Sequence, residues 1–139
     1  MTNTFLKRQA ALRQRLAAAH LDALIVSHAP DWYYLTGFTG ESGALVVGPR
    51  QMTLVTDGRF MTQAREETSG VGIFQHKAGL FSAVGEFLRS SGKRRAGFDP
   101  TQFSVAQHKM LRKAAGGRCA LKSAIGFVAG RPDTSSACS

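Results

Sequence analysis

The sequence has few cysteines, few prolines and no long apolar run. Its two cysteines, Cys119 and Cys138, belong to no CxxC motif and have no histidine at metal-ligand spacing, so we expect free thiols. Four prolines and a hydrophobic fraction of 43% argue against wholesale disorder. No run approaches the roughly 18 apolar residues of a membrane-spanning helix. We therefore expect a soluble chain without a membrane partner, and its 139 residues are the size of one domain.

A secretory signal is also missing from the N-terminal sequence. The first residues read MTNTFLKRQAALRQRL, in which basic residues lie within an amphipathic pattern. A signal peptide would instead place a continuous apolar core before a small-residue cleavage site. The pattern predicts a cytoplasmic protein.

Acidic residues are scarce, because 9 Asp and Glu stand against 18 Lys and Arg and leave a formal net charge of +9. Clustered basic residues would favour a nucleic-acid partner. These are instead spread over predicted helix faces and turns, with no interleaved aromatic residues and no groove-reading module. We interpret them as solvated surface and expect no nucleic acid to bind. The main groups are Lys7 and Arg8, Arg13 and Arg15, Lys93 to Arg95, Arg112 and Lys113, and Arg118.

Helix and strand patterns alternate along the chain. Apolar residues at helical spacing predict long helices that begin near Asn3, Phe60, Leu80 and Ser104, and Asp31 is predicted to cap a short helical turn. Apolar runs predict strands at residues 21–26, 44–48, 52–57, 71–76 and 95–100, the last of them stopped by its proline, with a weak strand at 121–123. One tight hairpin among crossovers predicts a three-layer α/β fold, a mixed sheet flanked by helices, over residues 1–128. Residues 129–139 are small and polar, and we expect a disordered tail.

No metal or catalytic cluster stands out. Adjacent carboxylates at Glu66 and Glu67 point about 100° apart on a helix and do not share a proton, so we interpret them as a solvated face. The histidines lie singly on different predicted elements, without a carboxylate at a spacing that suits a shared metal. We expect no metal ligand and no catalytic residue among them: they are His20, His28, His76 and His108.

A glycine-rich loop precedes one of the strands, within the stretch YYLTGFTGESGALVV at residues 33–47. A structural role would use the glycines for backbone angles closed to other residues, while nearby hydrophobic side chains pack into the core. A nucleotide is not expected, because the loop matches no phosphate-binding motif and a strand, not a helix, follows it. The glycines are Gly37, Gly40 and Gly43, and the hydrophobic residues are Tyr34, Leu35 and Phe38.

The TDGRF motif at residues 56–60 has a similar structural explanation. Gly58 can take the turn, and Asp57 can accept hydrogen bonds from the amides that begin the next helix. Arg59 can pair with a carboxylate or a strand end. We therefore interpret these three residues as a structural motif that turns the chain and caps the next helix.

Four segments of the sequence, taken together, resemble one known protein family. Their order and spacing resemble the N-terminal domain of the creatinase, prolidase and aminopeptidase P family over Phe5 to Val128, although no single segment is specific. The segments are LDALIV at 21–26, YLTGFTG at 34–40 with Ser42 and Gly43, TDGRF at 56–60 with Gln63 and Ala64, and GFD at 97–99.

The resemblance implies a function for this domain and for a part that this sequence does not contain. Family members join it to a pita-bread catalytic domain, whose carboxylates and histidine bind two divalent metals (Mn, Co or Zn) and cleave the bond before proline. The resemblance implies that the N-terminal domain is non-catalytic, forms dimers, and overhangs a neighbouring active site. A substrate-access loop would then comprise Phe38, Thr39, Glu41 and Ser42. The alternative is a stand-alone module that binds a small molecule or a protein.

Overall fold

The computed structural model describes residues 3–77, 79–117, 119–125 and 127–128. Arg118, Cys138 and the predicted tail at 129–139 lie outside these residues. The helices are α1 (Asn3–Ala18), α2 (Ala29–Thr36), α3 (Met61–Glu67), α4 (Leu80–Ser90) and α5 (Val105–Ala115). The strands are β1 (Ala23–Val26), β2 (Ala44–Val47), β3 (Met52–Thr56), β4 (Gly72–Gln75), β5 (Arg95–Phe98) and β6 (Ala120–Ser123). Each predicted strand is present, with shifts of one or two residues at the ends.

The strands form one six-stranded mixed sheet in the order β4-β3-β2-β1-β5-β6. The hairpin strand β2 runs antiparallel to both β1 and β3. The remaining pairs, β1 with β5, β3 with β4 and β5 with β6, are parallel. The predicted mixed sheet is confirmed, and β4 and β6 form its two edges.

Helices cover both faces of the sheet, which confirms the three-layer α/β prediction. On one face, Leu12 and Leu16 of α1 and Leu35 of α2 pack with Leu45 and Leu54 of the strands. On the other face, α4 and α5 bury a second cluster against the sheet, which contains Val84, Leu88, Leu111, Ala115, Ile25 and Val46. Because the central strands β1 and β2 are buried along their whole length, they read as continuous apolar runs in the sequence.

Two helix starts test the sequence reasoning. Ser104 caps α5 as predicted, and its hydroxyl and the Gln107 side chain form a reciprocal capping box. The predicted cap at Asp31 is wrong, because α2 begins at Ala29 with His28 in the cap position. Pro30 explains the earlier start, since a proline suits the first helical turn, where its missing N–H has no intrahelical role.

Among the described residues, none of the helices combines the length and the apolar character needed to span a bilayer.

Candidate functional site

The glycine-rich loop, residues 37–43, lies at the end of the sheet where β1 and β3 finish. It leaves α2 and enters β2, whose first residue pairs with Val55 near the end of β3. The hydroxyl of Thr56 donates a 2.6 Å hydrogen bond to the carbonyl of Ser42. This contact ties the loop to the β3 end, where the TDGRF turn begins. The fold therefore brings the two sequence motifs to one end of the sheet.

The three loop glycines serve different purposes. Gly37 ends α2 in the left-handed region at φ 83°, and its N–H donates to the carbonyl of Tyr33. Gly40 and Gly43 do not have positive φ, so the prediction of unusual backbone angles is wrong for them. Close packing explains these two glycines instead: a Cβ on Gly40 would overlap the Phe38 ring, and a Cβ on Gly43 would lie 3.0 Å from the Val55 carbonyl oxygen.

Phe38 belongs to the core of the domain. Its side chain is fully buried and packs at ring-centroid distances of 6.2 Å from Trp32 and 6.4 Å from Phe60. Leu35 is fully buried as predicted, and Tyr34 is half-buried. Because the Phe38 ring faces inward, it cannot line a substrate entrance on the loop surface, and that part of the predicted access loop needs correction.

Glu67 fixes the exposed part of the loop. It accepts a 2.8 Å hydrogen bond from the backbone N–H of Thr39, and the Thr39 hydroxyl donates to both of its carboxylate oxygens. Gln63, one helical turn earlier on α3, donates a 2.7 Å hydrogen bond to the Thr39 hydroxyl. Glu67 lies on the exposed face of α3 as predicted, and it also binds a loop 28 residues away in sequence, a contact that the sequence did not predict.

The charged state of Glu67 is stabilised by these contacts. Burial opposes its ionisation, but hydrogen bonds from the Thr39 backbone, the Thr39 hydroxyl and Gln63 together lower its pKa below the ordinary value. The adjacent Glu66 is exposed. The sequence offered no signal that separates the two glutamates, because the contact depends on how α3 docks beside the loop.

The TDGRF turn presents an ion pair at the same end of the sheet. Asp57 caps a short 3₁₀ helix (Gly58–Phe60) by accepting from the Arg59 N–H. Its carboxylate also lies 2.8 Å from the guanidinium of Arg59. The side-chain hydrogen bond from Arg59 lowers the pKa of Asp57, and the same bond raises that of Arg59, which also feels the charge of Glu41. The predicted cap by Asp57 and the predicted pairing of Arg59 with a carboxylate are both present, and Arg59 pairs within its own motif.

A polar surface results from these contacts. Thr39, Glu41 and Arg59 are exposed and Ser42 is half-buried. A carboxylate and a guanidinium thus stand on one surface, positioned by a loop and a turn that are both hydrogen-bonded to secondary structure. This surface, which we call the loop surface, is defined by Thr39, Glu41, Ser42 and Arg59.

A separate cleft of about 390 Å³ lies between β4 and α4. Both ring nitrogens of His76 are buried there and have no hydrogen-bond partner among the described residues. Sequence reasoning missed the cleft because its walls come from two segments with ordinary composition. Its lining residues are Phe74, Gln75, His76, Lys77, Gly79, Ser82, Ala83 and Glu86.

The described residues provide no ligand set for the metal pair that the resemblance implies. Among them, no three His, Cys, Asp or Glu side chains come together as a possible metal site. His108, for example, stacks on the Phe98 ring at 5.0 Å, whereas His20 is exposed. No chemical step is therefore assigned to a metal in this domain.

Comparisons with known proteins agree on one family. The family model described as Creatinase/Prolidase N-terminal domain matches residues 8–130. The uncharacterized peptidase YqhT of Bacillus subtilis (strain 168) is 28% identical over 97 residues, which cover 70% of this chain and 28% of that protein. Xaa-Pro aminopeptidase 2 of Rattus norvegicus is 30% identical over 111 residues, covering 70% of this chain and 16% of that protein.

Solved structures give the same result at the level of the domain. The N-terminal domain of cytoplasmic peptidase PepQ from Mycobacterium tuberculosis H37Rv superposes with a TM-score of 0.82 at 30% identity, covering 88% of this chain and 95% of that one. The chain thus matches a nearly whole isolated domain, whereas it spans less than a third of the two curated relatives.

Proposed function

Because the chain belongs to the Creatinase/Prolidase N-terminal domain family, we propose that it is a non-catalytic domain that pairs with a second copy and shapes substrate access. The active site would lie on a separate catalytic domain, which would hold two divalent metal ions such as Mn, Co or Zn. The named relatives include Xaa-Pro aminopeptidases, so the substrates would be peptides with proline in the second position. We expect the assembly in the cytoplasm.

The anchored loop surface carries this proposal. Thr39 is held by Glu67 and Gln63, and Ser42 is held by Thr56. Anchors on both sides fix the backbone of the segment between them, so Glu41 is presented on an ordered loop. A surface that orders a peptide gains from such pre-organisation, because less conformational entropy is lost on binding.

The charges of the loop surface suit the two ends of a short peptide. The carboxylate of Glu41 would attract a free N-terminal ammonium, and the guanidinium of Arg59 would attract a C-terminal carboxylate. Arg59 is already paired with Asp57, which leaves part of its fork for a second anion. These exposed contacts are individually weak, so the loop surface would guide a substrate and leave tight binding to the catalytic domain.

Self-association would use the edge strand β4. Phe74 is 46% exposed on this strand, and the segment Gly72–Gln75 contains no charged residue or proline. Proteins commonly protect a free sheet edge with charged residues or proline. The other edge strand, β6, has such protection from Lys122, whereas β4 has none. A second copy that pairs along β4 would cover Phe74, and a two-fold dimer requires no other chain type.

A titration with an Xaa-Pro dipeptide tests the access role directly. We expect alanyl-proline at about 10 mM, a concentration suited to millimolar affinity, to shift the backbone NMR signals of Thr39, Gly40 and Glu41. N-acetyl-alanyl-proline amide, which lacks both charged ends, is the control and should shift them less. Absence of any shift at the loop under these conditions contradicts the access role.

A second candidate function is a stand-alone binding module. The cleft beside His76 supports it, because the two buried ring nitrogens have no partner within the described part of the chain and would gain hydrogen bonds from a polar ligand. The same titration separates the two functions. Shifts confined to residues 74–83 would favour the binding module, whereas shifts at the loop favour the access domain.

A further inference from the structure

Basic residues that are distant in sequence meet at the end of the sheet opposite the loop surface. Here β1, β5 and β6 begin, and the β2–β3 turn lies beside them. We call this region the basic end, and six of its residues are Arg13, Arg50, Arg89, Lys93, Arg94 and Arg112. The interpretation of these residues as scattered helix faces is therefore incomplete, because the fold gathers them.

The contacts of Gly48 show how closely the cations approach. The Nε of Arg13, from α1, donates a 3.0 Å hydrogen bond to the Gly48 carbonyl. The Nζ of Lys93, from the opposite face of the sheet, lies 3.3 Å from the position that a Cβ on Gly48 would occupy. Arg50 stands two positions farther along the same turn. Three cations thus surround one short turn.

A second group extends the positive surface to the ends of α4 and α5. Arg89 lies in the last turn of α4 and Arg112 in the last turn of α5. The Cδ of Arg89 is 3.7 Å from the position of a Cβ on Gly116, so the two helix ends are in contact. The helix dipole stabilises cations at helix C-termini, which explains why both arginines are found there. Their positive charge still attracts an approaching anion.

Negative charge at this end is already engaged. Within the described part of the chain, the carboxylate that lies here is that of Asp22, and its two oxygens accept the backbone N–H groups of Arg94 and Arg95. Arg13 is half-buried, and burial alone lowers its pKa. A lowered pKa means that loss of hydration is not offset by a neighbouring anion. An external anion would therefore be stabilised by several cations at once.

We propose that the basic end docks a segment of another protein rich in Asp and Glu. Guanidinium groups bind carboxylates through two parallel hydrogen bonds. A single-stranded nucleic acid would need exposed aromatic residues for base stacking, but the exposed aromatic residues of the described chain, Tyr33 and Phe74, lie in α2 and β4. The cations also come from three different helices and from two loop segments, so no single helix presents them to a major groove. The proposal goes beyond the proposed function and uses the opposite end of the sheet.

Two charge-reversal variants of equal net charge test the proposal. The basic-end variant carries Arg50→Glu, Lys93→Glu and Arg112→Glu, and the control carries Lys7→Glu, Arg65→Glu and Lys122→Glu, which are exposed positions outside the basic end. The probe is a fluorescein-labelled oligoglutamate peptide, measured by fluorescence anisotropy. We expect the basic-end variant to bind it about tenfold more weakly than wild type, equivalent to about 1.4 kcal/mol, and the control to change about twofold or less.

Salt and a second probe complete the test. Binding should weaken between about 0.05 M and 0.3 M salt, because exposed charge pairs are screened. Equal weakening of both variants would overturn the proposal, as would the absence of peptide binding at the lower salt concentration. Tighter binding of a DNA duplex than of the peptide would overturn the choice of an acidic protein. If the triple variant does not fold, Arg50→Glu alone, in the exposed turn, is compared with Lys7→Glu.

Discussion

The carboxylate of Glu67 accepts hydrogen bonds from both the backbone N–H and the hydroxyl of Thr39, at 2.8 Å each. This relationship joins α3 to the glycine-rich loop across the surface of the domain. The two hydrogen bonds hold the backbone of the loop at Thr39 in a defined position. The proposed access role depends on this order, because a disordered loop would lose conformational entropy whenever it held a substrate.

Glu67→Gln should destabilise the domain by about 1 kcal/mol, because a hydrogen bond to a charged acceptor contributes more than a neutral one. Glu66→Gln is the matched control, since it removes the same charge from an exposed neighbour, and it should change stability by less than about 0.5 kcal/mol. Urea denaturation of both variants measures the difference. Equal effects would show that the anchoring contact is energetically unimportant.

The contribution of Glu67 should also depend on pH. Its pKa is lowered in the folded protein, so its stabilising effect is complete above the unfolded pKa of about 4.3 and is lost as pH falls through the folded pKa. The stability difference between wild type and Glu67→Gln should therefore be constant from about pH 5 to 7 and shrink below about pH 4. Denaturation curves across this range provide the measurement, and a difference that grows toward acid pH would contradict the assigned contacts.

Gly40→Ala should cost about 2 kcal/mol or more, because the added methyl group overlaps the buried Phe38 ring and forces the core to shift. Gly117→Ala is the control: it has no neighbouring heavy atom within 4 Å of the new Cβ and no positive φ. Its stability should change by less than about 0.5 kcal/mol. Thermal denaturation compares the two, and similar melting temperatures would refute the steric role of Gly40.

Much of this fold could be predicted from the sequence, because local patterns determine it. The buried runs of β1 and β2, the Ser104 capping box and the Asp57 turn each depend on residues close in sequence. Predictions failed where geometry between distant segments decides the outcome. Gly40 is required by the position of the Phe38 ring, and Glu67 acts through a loop 28 residues away.

The basic end illustrates the same limit for charge. Arg13, Arg50 and Lys93 fall on three separate predicted elements, so the sequence gives no reason to group them. The antiparallel pairing of β2 brings Gly48 beside the beginning of β1, and that pairing places the three cations around one turn. The order of the strands in the sheet therefore creates the basic end. Sequence periodicity predicts which residues form helices and strands, but it does not predict the order of the strands.

The chain alone should hydrolyse neither Xaa-Pro peptides nor creatine. We expect this because the proposed function places the metal ligands and the reacting groups on a separate catalytic domain. Assays of proline release from alanyl-proline and of urea release from creatine, each with added Mn²⁺, Co²⁺ or Zn²⁺ and repeated with chelator, check the expectation. Metal-dependent turnover by the purified chain that disappears with chelator would assign catalysis to this domain.

The mass of the chain in solution, measured by light scattering over a concentration and salt series, tests the central claim most directly. We expect a dimer that strengthens as salt rises, because an apolar contact at Phe74 must overcome repulsion between two chains of formal charge +9. Phe74→Glu should be monomeric, whereas Val105→Glu, at a position 73% exposed on α5, should remain a dimer. A strictly monomeric mass for the wild type at high concentration and moderate salt would contradict the assembly role.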